Sequence, residues 1–127
     1  MNMPSVLVVD DDAIARGFIK DVLSRFYNIE VDEASNIKTA VSLCAKKIYD
    51  MIILDQRLPD GDAATYCKTL QLSSSQNLRT PKYIISGATP LNWDEGFWKE
   101  FEVLGYMVKP VKVDNLEKIA QLCQHKK

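Results

Sequence analysis

The sequence predicts an α/β domain: a five-stranded parallel sheet in the order 2-1-3-4-5 with helices on both faces. Three observations predict it. Apolar runs at Val6–Val9, Met51–Leu54, Tyr83–Ile85 and Tyr106–Val108 are too short for helices and read as strands, with Val6–Val9 covered on both faces and Met51–Leu54 buried. Apolar residues at helical spacing fill the stretches between them. Alternating strands and helices build parallel sheets, and right-handed crossovers with a switch point beside the first strand give the order.

The elements follow in turn. After Val6–Val9, Asp12 caps a helix whose apolar positions are Ala13, Ile14, Phe18, Val22 and Leu23. Ile29 and Val31 alternate with charged residues, so the second strand is a half-exposed edge. Ser35 or Asn36 caps the next helix, with a stripe of Ile37, Ala40, Val41, Cys44 and Ile48. Met51–Leu54 is the central strand, and Pro59-Asp60-Gly61-Asp62 is a turn. A third helix turns Ala64, Cys67 and Leu70 inward. Leu72-Ser73-Ser74-Ser75-Gln76-Asn77 breaks it, and Pro81 restarts the chain into Tyr83–Ile85. Gly87–Pro90 is a loop before an aromatic helix from about Asn92 to Val103. Gly96 within that helix costs about 1 kcal/mol relative to Ala, making it the least stable of the set. Tyr106–Val108 is the fifth strand, and Asp114 caps a last helix through Leu116, Ile119, Ala120 and Cys123. Residues 1–127 read as one domain with a core of about 5–123.

Bulk properties exclude several classes. Hydrophobic residues at 46% and charged residues at 26% suit a globular protein, and a net charge of −1 argues against direct nucleic-acid binding. Apolar runs of about four residues are far short of the roughly 20 that a membrane helix needs. Met-Asn-Met-Pro-Ser leads straight into a strand, so the expectation is a cytoplasmic protein without a signal peptide. Cys44, Cys67 and Cys123 lack metal or redox spacing and read as reduced core residues. The only histidine, His125, reads as a solvated tail residue.

The chemistry gathers at the strand ends, where open parallel sheets bind ligands. The first strand ends in Asp10-Asp11-Asp12, the third in Asp55, the fourth in Ser86-Gly87 and the fifth in Lys109-Pro110. Two carboxylates about 4 Å apart repel by about 4 kcal/mol at an effective dielectric near 20, so Asp10, Asp11 and Asp55 together call for a cation. Oxygen-only ligands with room for water suit Mg²⁺ rather than zinc. Lys109 ends a buried strand, where an ammonium needs a partner. A cis Lys109–Pro110 bond, which the sequence alone leaves open, would turn it into the pocket. A carboxylate nucleophile, a hard dication, an ammonium and a hydroxyl make up a phosphoryl-transfer set.

These residues, in this order, resemble the receiver domain of two-component response regulators, a flavodoxin-like, CheY-like module. The resemblance rests on Val8-Val9-Asp10-Asp11-Asp12 with Arg16, Ile53-Leu54-Asp55 with Leu58-Pro59, Ser86-Gly87, and Tyr106-Met107-Val108-Lys109-Pro110. It implies that Asp55 accepts a phosphoryl group from the phosphohistidine of a sensor histidine kinase or phosphotransfer protein. It implies Mg²⁺ on Asp10, Asp11, Asp55 and the backbone carbonyl of Arg57. Lys109, Ser86 and the backbone amides of Gln56 and Gly87 would hold phosphoryl oxygens, and Ser86 and Tyr106 would switch. The readout would be a changed surface on the fourth helix, fifth strand and fifth helix, offered to an output protein or domain that the sequence leaves unnamed. Such a module is no enzyme beyond its own phosphotransfer and autodephosphorylation. The rival readings are a haloacid-dehalogenase-like phosphatase using Asp10 with Asp12, and an interaction module that is never phosphorylated.

Three departures from the family pattern stand out. Ser86 stands for the commoner threonine and Ala63 for a glycine. Trp93, Phe97, Trp98 and Phe101 crowd the fourth helix as two stripes that do not easily bury together against one sheet face, and they read either as core throughout or as a partner-binding or homodimer surface with the fifth strand and fifth helix. Arg57 and Ala88 occupy variable positions that tune dephosphorylation in the family.

Overall fold

The computed structural model describes residues 3–90 and 93–124. His125 and Asn92 lie outside the described residues. The elements are β1 (Ser5–Val9), α1 (Ala13–Tyr27), β2 (Glu30–Ala34), α2 (Ile37–Lys46), β3 (Met51–Asp55), β4 (Arg57–Leu58), β5 (Gly61–Asp62), α3 (Ala63–Leu72), β6 (Lys82–Ser86), α4 (Glu95–Glu100), β7 (Val103–Val108) and α5 (Val113–Gln124).

The main sheet is five-stranded and all parallel, ordered β2-β1-β3-β6-β7. In terms of its long strands this is the expected 2-1-3-4-5. Alternation splits each apolar strand between two cores. Leu7, Val9, Ile52, Leu54 and Ile84 meet α2, α3 and α4 on one face. Val6, Val8, Met51, Ile53 and Ile85 meet α1 and α5 on the other. Every residue of β1 and β3 is therefore buried, which is why their sequence is continuously apolar.

Helix faces differ in detail from the sequence reading. In α1 the buried stripe is Ile19, Val22 and Leu23, whereas Ile14 is 85% and Phe18 41% exposed. At 3.6 residues per turn Ile14 falls on the side of the helix away from Ile19 and Leu23, and Phe18 falls at the margin of the buried stripe. Asn36, not Ser35, caps α2, accepting from the Thr39 N–H at 2.8 Å. That helix ends at Lys46, leaving Ile48 exposed and Tyr49 buried in its stead. Ala63 and Tyr66 join Cys67 and Leu70 on the inner face of α3, with Ala64 half-buried. The Tyr66 hydroxyl is satisfied by Cys44 Sγ at 3.0 Å, which lets a phenol sit in the core. All three cysteines are buried.

α4 is six residues long and β7 begins at Val103, so the helix stops short of Val103, which is strand together with Leu104 and Gly105. The aromatic residues pack together rather than as two opposed stripes. Trp98 and Phe101 are buried, and Trp93 and Phe97 cover them half-buried. Trp93 stacks on Trp98 at 5.4 Å, and Phe97 meets Trp98 and Phe101 edge-on at 4.9 and 5.3 Å. A short helix lets Trp93 fold back from the preceding loop, which a longer helix would forbid. Asp114 lies inside the first turn of α5 rather than capping it, and Asn115 Oδ1 accepts from the Lys112 N–H instead.

Lys82, at the start of β6, is fully buried. Its ammonium donates to the carbonyls of Leu78, Thr80 and Phe101 at 2.8, 2.8 and 2.7 Å. Burial pulls its pKa down to about 8, and the three carbonyls favour the charged form.

Candidate functional site

The four marked strand ends meet at one rim of the sheet. Adjacent β1 and β3 bring Asp10 beside Asp55, and β6 and β7 supply Ser86 and Lys109. One carboxylate oxygen from each of Asp10, Asp11 and Asp55 lies within 4.8 Å of the others. A cleft of about 590 Å³ opens above them, lined by Asp11, Asp55, Arg57, Ser86, Gly87 and Lys109 among others.

Asp10 has no exposed surface. Its Oδ1 accepts the Asp12 N–H at 2.9 Å, while its Oδ2 is buried with no hydrogen-bond partner among the described residues. Burial is the main force pushing its pKa up to about 6, opposed by the Asp12 N–H and assisted by the charge on Asp55. Arg16 fixes this corner, donating to the Asp10 carbonyl at 2.7 Å and to Glu33 Oε1 at 3.1 Å. Asp11 is exposed at the cleft. Asp12 is spent as the cap of α1, accepting from Ile14 and Ala15.

Asp55 is 3% exposed. Its Oδ2 accepts from Lys109 Nζ at 2.9 Å, and its Oδ1 faces the Arg57 N–H at 3.3 Å. The bond to Asp55 raises the Lys109 pKa, so its ammonium stays charged. The Lys109–Pro110 bond is cis. The Lys109 N–H joins the Ser86 carbonyl at 2.8 Å, tying the ends of β6 and β7 together.

Not every expected group faces the carboxylate. The Gln56 N–H donates to the Ile85 carbonyl at 2.8 Å, because the β3–β6 ladder runs one residue past Asp55. The amide that donates to the Asp55 carboxylate is that of Arg57. Ser86 Oγ turns toward its own loop and donates to the Ala88 carbonyl. A Cβ at Gly87 would meet no protein atom within 4 Å, so position 87 leaves the cleft open. Tyr106 is half-buried with its ring 5.1 Å from that of Trp93. Sequence reading gave Asp60 no part beyond a turn, yet its carboxylate accepts from the N–H groups of Ile37 and Lys38 at 2.8 and 3.1 Å. An Asp in a turn carries no sequence signal for a helix 22 residues upstream.

The donor set fits a small hard dication. Three carboxylates against one ammonium leave about two negative charges, and Asp10 Oδ2 is an acceptor aimed at no protein donor. Oxygen ligands with an open side suit Mg²⁺, which keeps several waters.

The chain is similar to known proteins. The response regulator receiver domain model matches residues 6–121. The transcriptional regulatory protein ResD of Bacillus subtilis is 31% identical over 110 residues, covering 86% of this chain and 43% of that protein. The cell cycle response regulator CtrA of Brucella ovis is 31% identical over 114 residues, covering 90% and 47%. The chain thus spans less than half the length of these curated relatives. Among solved structures, the chemotaxis protein CheY4 of Vibrio cholerae superposes with a TM-score of 0.82 at 26% identity, over 96% of this chain and 99% of that one. The Francisella response regulator 1452 receiver domain gives 0.81 at 30% identity, over 98% and 99%. With the family matched across nearly its whole length and the fold shared in full, this chain belongs to the response regulator receiver domain family of two-component systems.

Proposed function

We propose that this cytoplasmic receiver takes a phosphoryl group onto Asp55 from the phosphohistidine of a sensor histidine kinase or phosphotransfer protein. An Asp55 oxygen forms the P–O bond as the donor P–N bond breaks, and the imidazole leaves with that electron pair and is protonated. The observation that carries the reading is a near-buried Asp55 held by Lys109 at 2.9 Å beside two further carboxylates, at the mouth of an open cleft. Asp10, Asp11, Asp55 and the Arg57 carbonyl would hold Mg²⁺, which supplies charge neutralisation for the transferring group. Lys109 would keep its ammonium on the same group, and the amides of Arg57, which donates to Asp55 Oδ1 at 3.3 Å, and of cleft-lining Gly87 would take its oxygens. A donor protein finds an apolar landing beside the cleft. Ile14 and Phe18 stand exposed there and line a second hollow with Pro110 and Val111.

Signalling would follow from two groups that hold local partners, Ser86 on the Ala88 carbonyl and Tyr106 on the Trp93 ring. Ser86 gives up the Ala88 carbonyl for a phosphoryl oxygen, a stronger charge-assisted bond. Tyr106 turns inward as that loop moves, and the surface of α4, β7 and α5 changes. Exposed Leu104, Val108 and Val113 supply that surface with apolar contacts for an output partner or a second copy. The phosphatase rival would draw its acid from Asp12, whose Oδ1 instead accepts the Ile14 and Ala15 N–H groups as the cap of α1.

Acetyl phosphate with Mg²⁺ should add one phosphoryl group by mass spectrometry, and Asp55→Asn should abolish it. Labelling of the Asn variant at the wild-type rate would sink the reading.

A further inference from the structure

The hairpin that begins at Arg57 is held from outside the site. Its strands are two residues each, paired only at Arg57 with Asp62 and Leu58 with Gly61. A ribbon of that size has no stability of its own. At its base, Ala63 N–H donates to the Gln56 carbonyl at 3.1 Å, which fixes the spacing of the two legs but not their tilt. The tip is fixed on α2. Asp60 Oδ1 accepts the Ile37 N–H at 2.8 Å and Oδ2 the Lys38 N–H at 3.1 Å, 23 and 22 residues back along the chain.

Those N–H groups belong to the first turn of α2, whose donors have no partner within the helix. Asn36 takes only the Thr39 N–H. The first turn is therefore shared between a local cap and a distant loop. Gly61 makes the fit close: it has φ +151°, and a Cβ there would lie 2.8 Å from Ile37 Cδ1. Leu58 is buried in the same core as Ile37. Tip, glycine and leucine all bear on one helix end.

We infer that Asp60 is a positioning residue for the metal centre: by clamping the hairpin tip to the first turn of α2 it sets where the Arg57 carbonyl stands relative to Asp55. The inference rests on the reading of Asp55 and Arg57 given above. It makes the occupancy of a cation site depend on a carboxylate that does not touch it.

The test is Mg²⁺ titration by calorimetry on the whole chain, comparing wild type with Asp60→Ala, Asp60→Asn and Asn36→Ala. Asn36→Ala is the control, because it removes a cap from the same helix without releasing the hairpin. Asp60→Ala should weaken Mg²⁺ about three- to tenfold, at or below the low end seen for outer-shell partners of metal ligands. Asp60→Asn should lose less, since its amide oxygen still accepts one N–H. Asn36→Ala should stay within about twofold of wild type. Unchanged affinity in Asp60→Ala, or an equal loss in Asn36→Ala, would overturn the inference. If wild type itself binds no Mg²⁺, the cation-site reading fails, and the clamp is judged by amide hydrogen exchange. Residues 56–62 must then exchange faster in Asp60→Ala and not in Asn36→Ala, and equal exchange would overturn the clamp too.

Discussion

Replacing Asp10 by Asn should make the metal-free protein more stable while removing its response to Mg²⁺. Asp10 is fully buried, one of its oxygens lacks a donor, and Asp55 repels it. Moving a carboxyl from 3.8 to about 6 is worth about 3 kcal/mol against the charged form. The cleft above the site lets water share the field, so about 2 kcal/mol is the expected gain for a neutral amide. For 127 residues that corresponds to about 6–10 °C in Tm. The sign follows from linkage. A folded value above the unfolded one means that the native state binds the proton more tightly. Stability from this group is present in full below about 4 and is lost as the pH climbs through about 6. The gap between Asp10→Asn and wild type should therefore open across that window and stay open at neutral pH. Thermal and urea unfolding in chelator, at several pH values, measure it. Added Mg²⁺ should then raise the Tm of wild type and leave the variant unmoved. A variant no more stable than wild type at neutral pH, or a gap that does not change with pH, would refute the electrostatic account.

Three other outcomes are expected. Ile14→Asp, at a position 85% exposed, should change stability by less than about 0.5 kcal/mol. It should slow transfer from a phosphohistidine protein about tenfold, the loss of roughly 1.4 kcal/mol of apolar contact, and spare labelling by acetyl phosphate. Equal slowing with both donors would remove the landing surface. Lys82 sits at about 8 when folded, below its ordinary 10.5, so wild-type stability should rise between those values by up to about 3 kcal/mol. Its three carbonyl partners oppose that rise, and about 1–2 kcal/mol is expected. Lys82→Met should lack the rise, and urea unfolding with matching pH slopes in both proteins would contradict this. Trp93 rests against Tyr106 at 5.1 Å, so its emission in a Trp98→Phe background should change when beryllofluoride and Mg²⁺ are added. A silent Trp93 would argue that Tyr106 does not turn.

Much of the fold was legible because burial on both faces writes an unmistakable pattern. Val6–Val9 and Met51–Leu54 could be nothing but central strands, and Asp55 had to sit where one of them leaves the sheet. Residues at amphipathic boundaries were harder. Ile14 and Phe18 lead to Val22 at i, i+4 spacing, but the buried stripe is Ile19, Val22 and Leu23, and at 3.6 residues per turn Ile14 falls on the far side of it and Phe18 at its margin. The same holds for the aromatic segment, where periodicity said two stripes and a six-residue helix allowed one cluster. Lys82 ran against every compositional rule for a strand interior. Three convergent carbonyls, from two separate loops, are what make it tolerable.

The sequence by itself determined the order of elements, the parallel sheet and the identity of the charged residues at its rim. Local chemistry suffices for these, because strand ends and helix caps are written within a few neighbouring residues. Tertiary structure alone decided which donors stay available there. Ladder pairing takes the Gln56 amide, and the first turn of α2 takes Asp60. Each N–H or carboxylate oxygen satisfies only a few partners, and which partner is near depends on packing between segments that are distant in the chain.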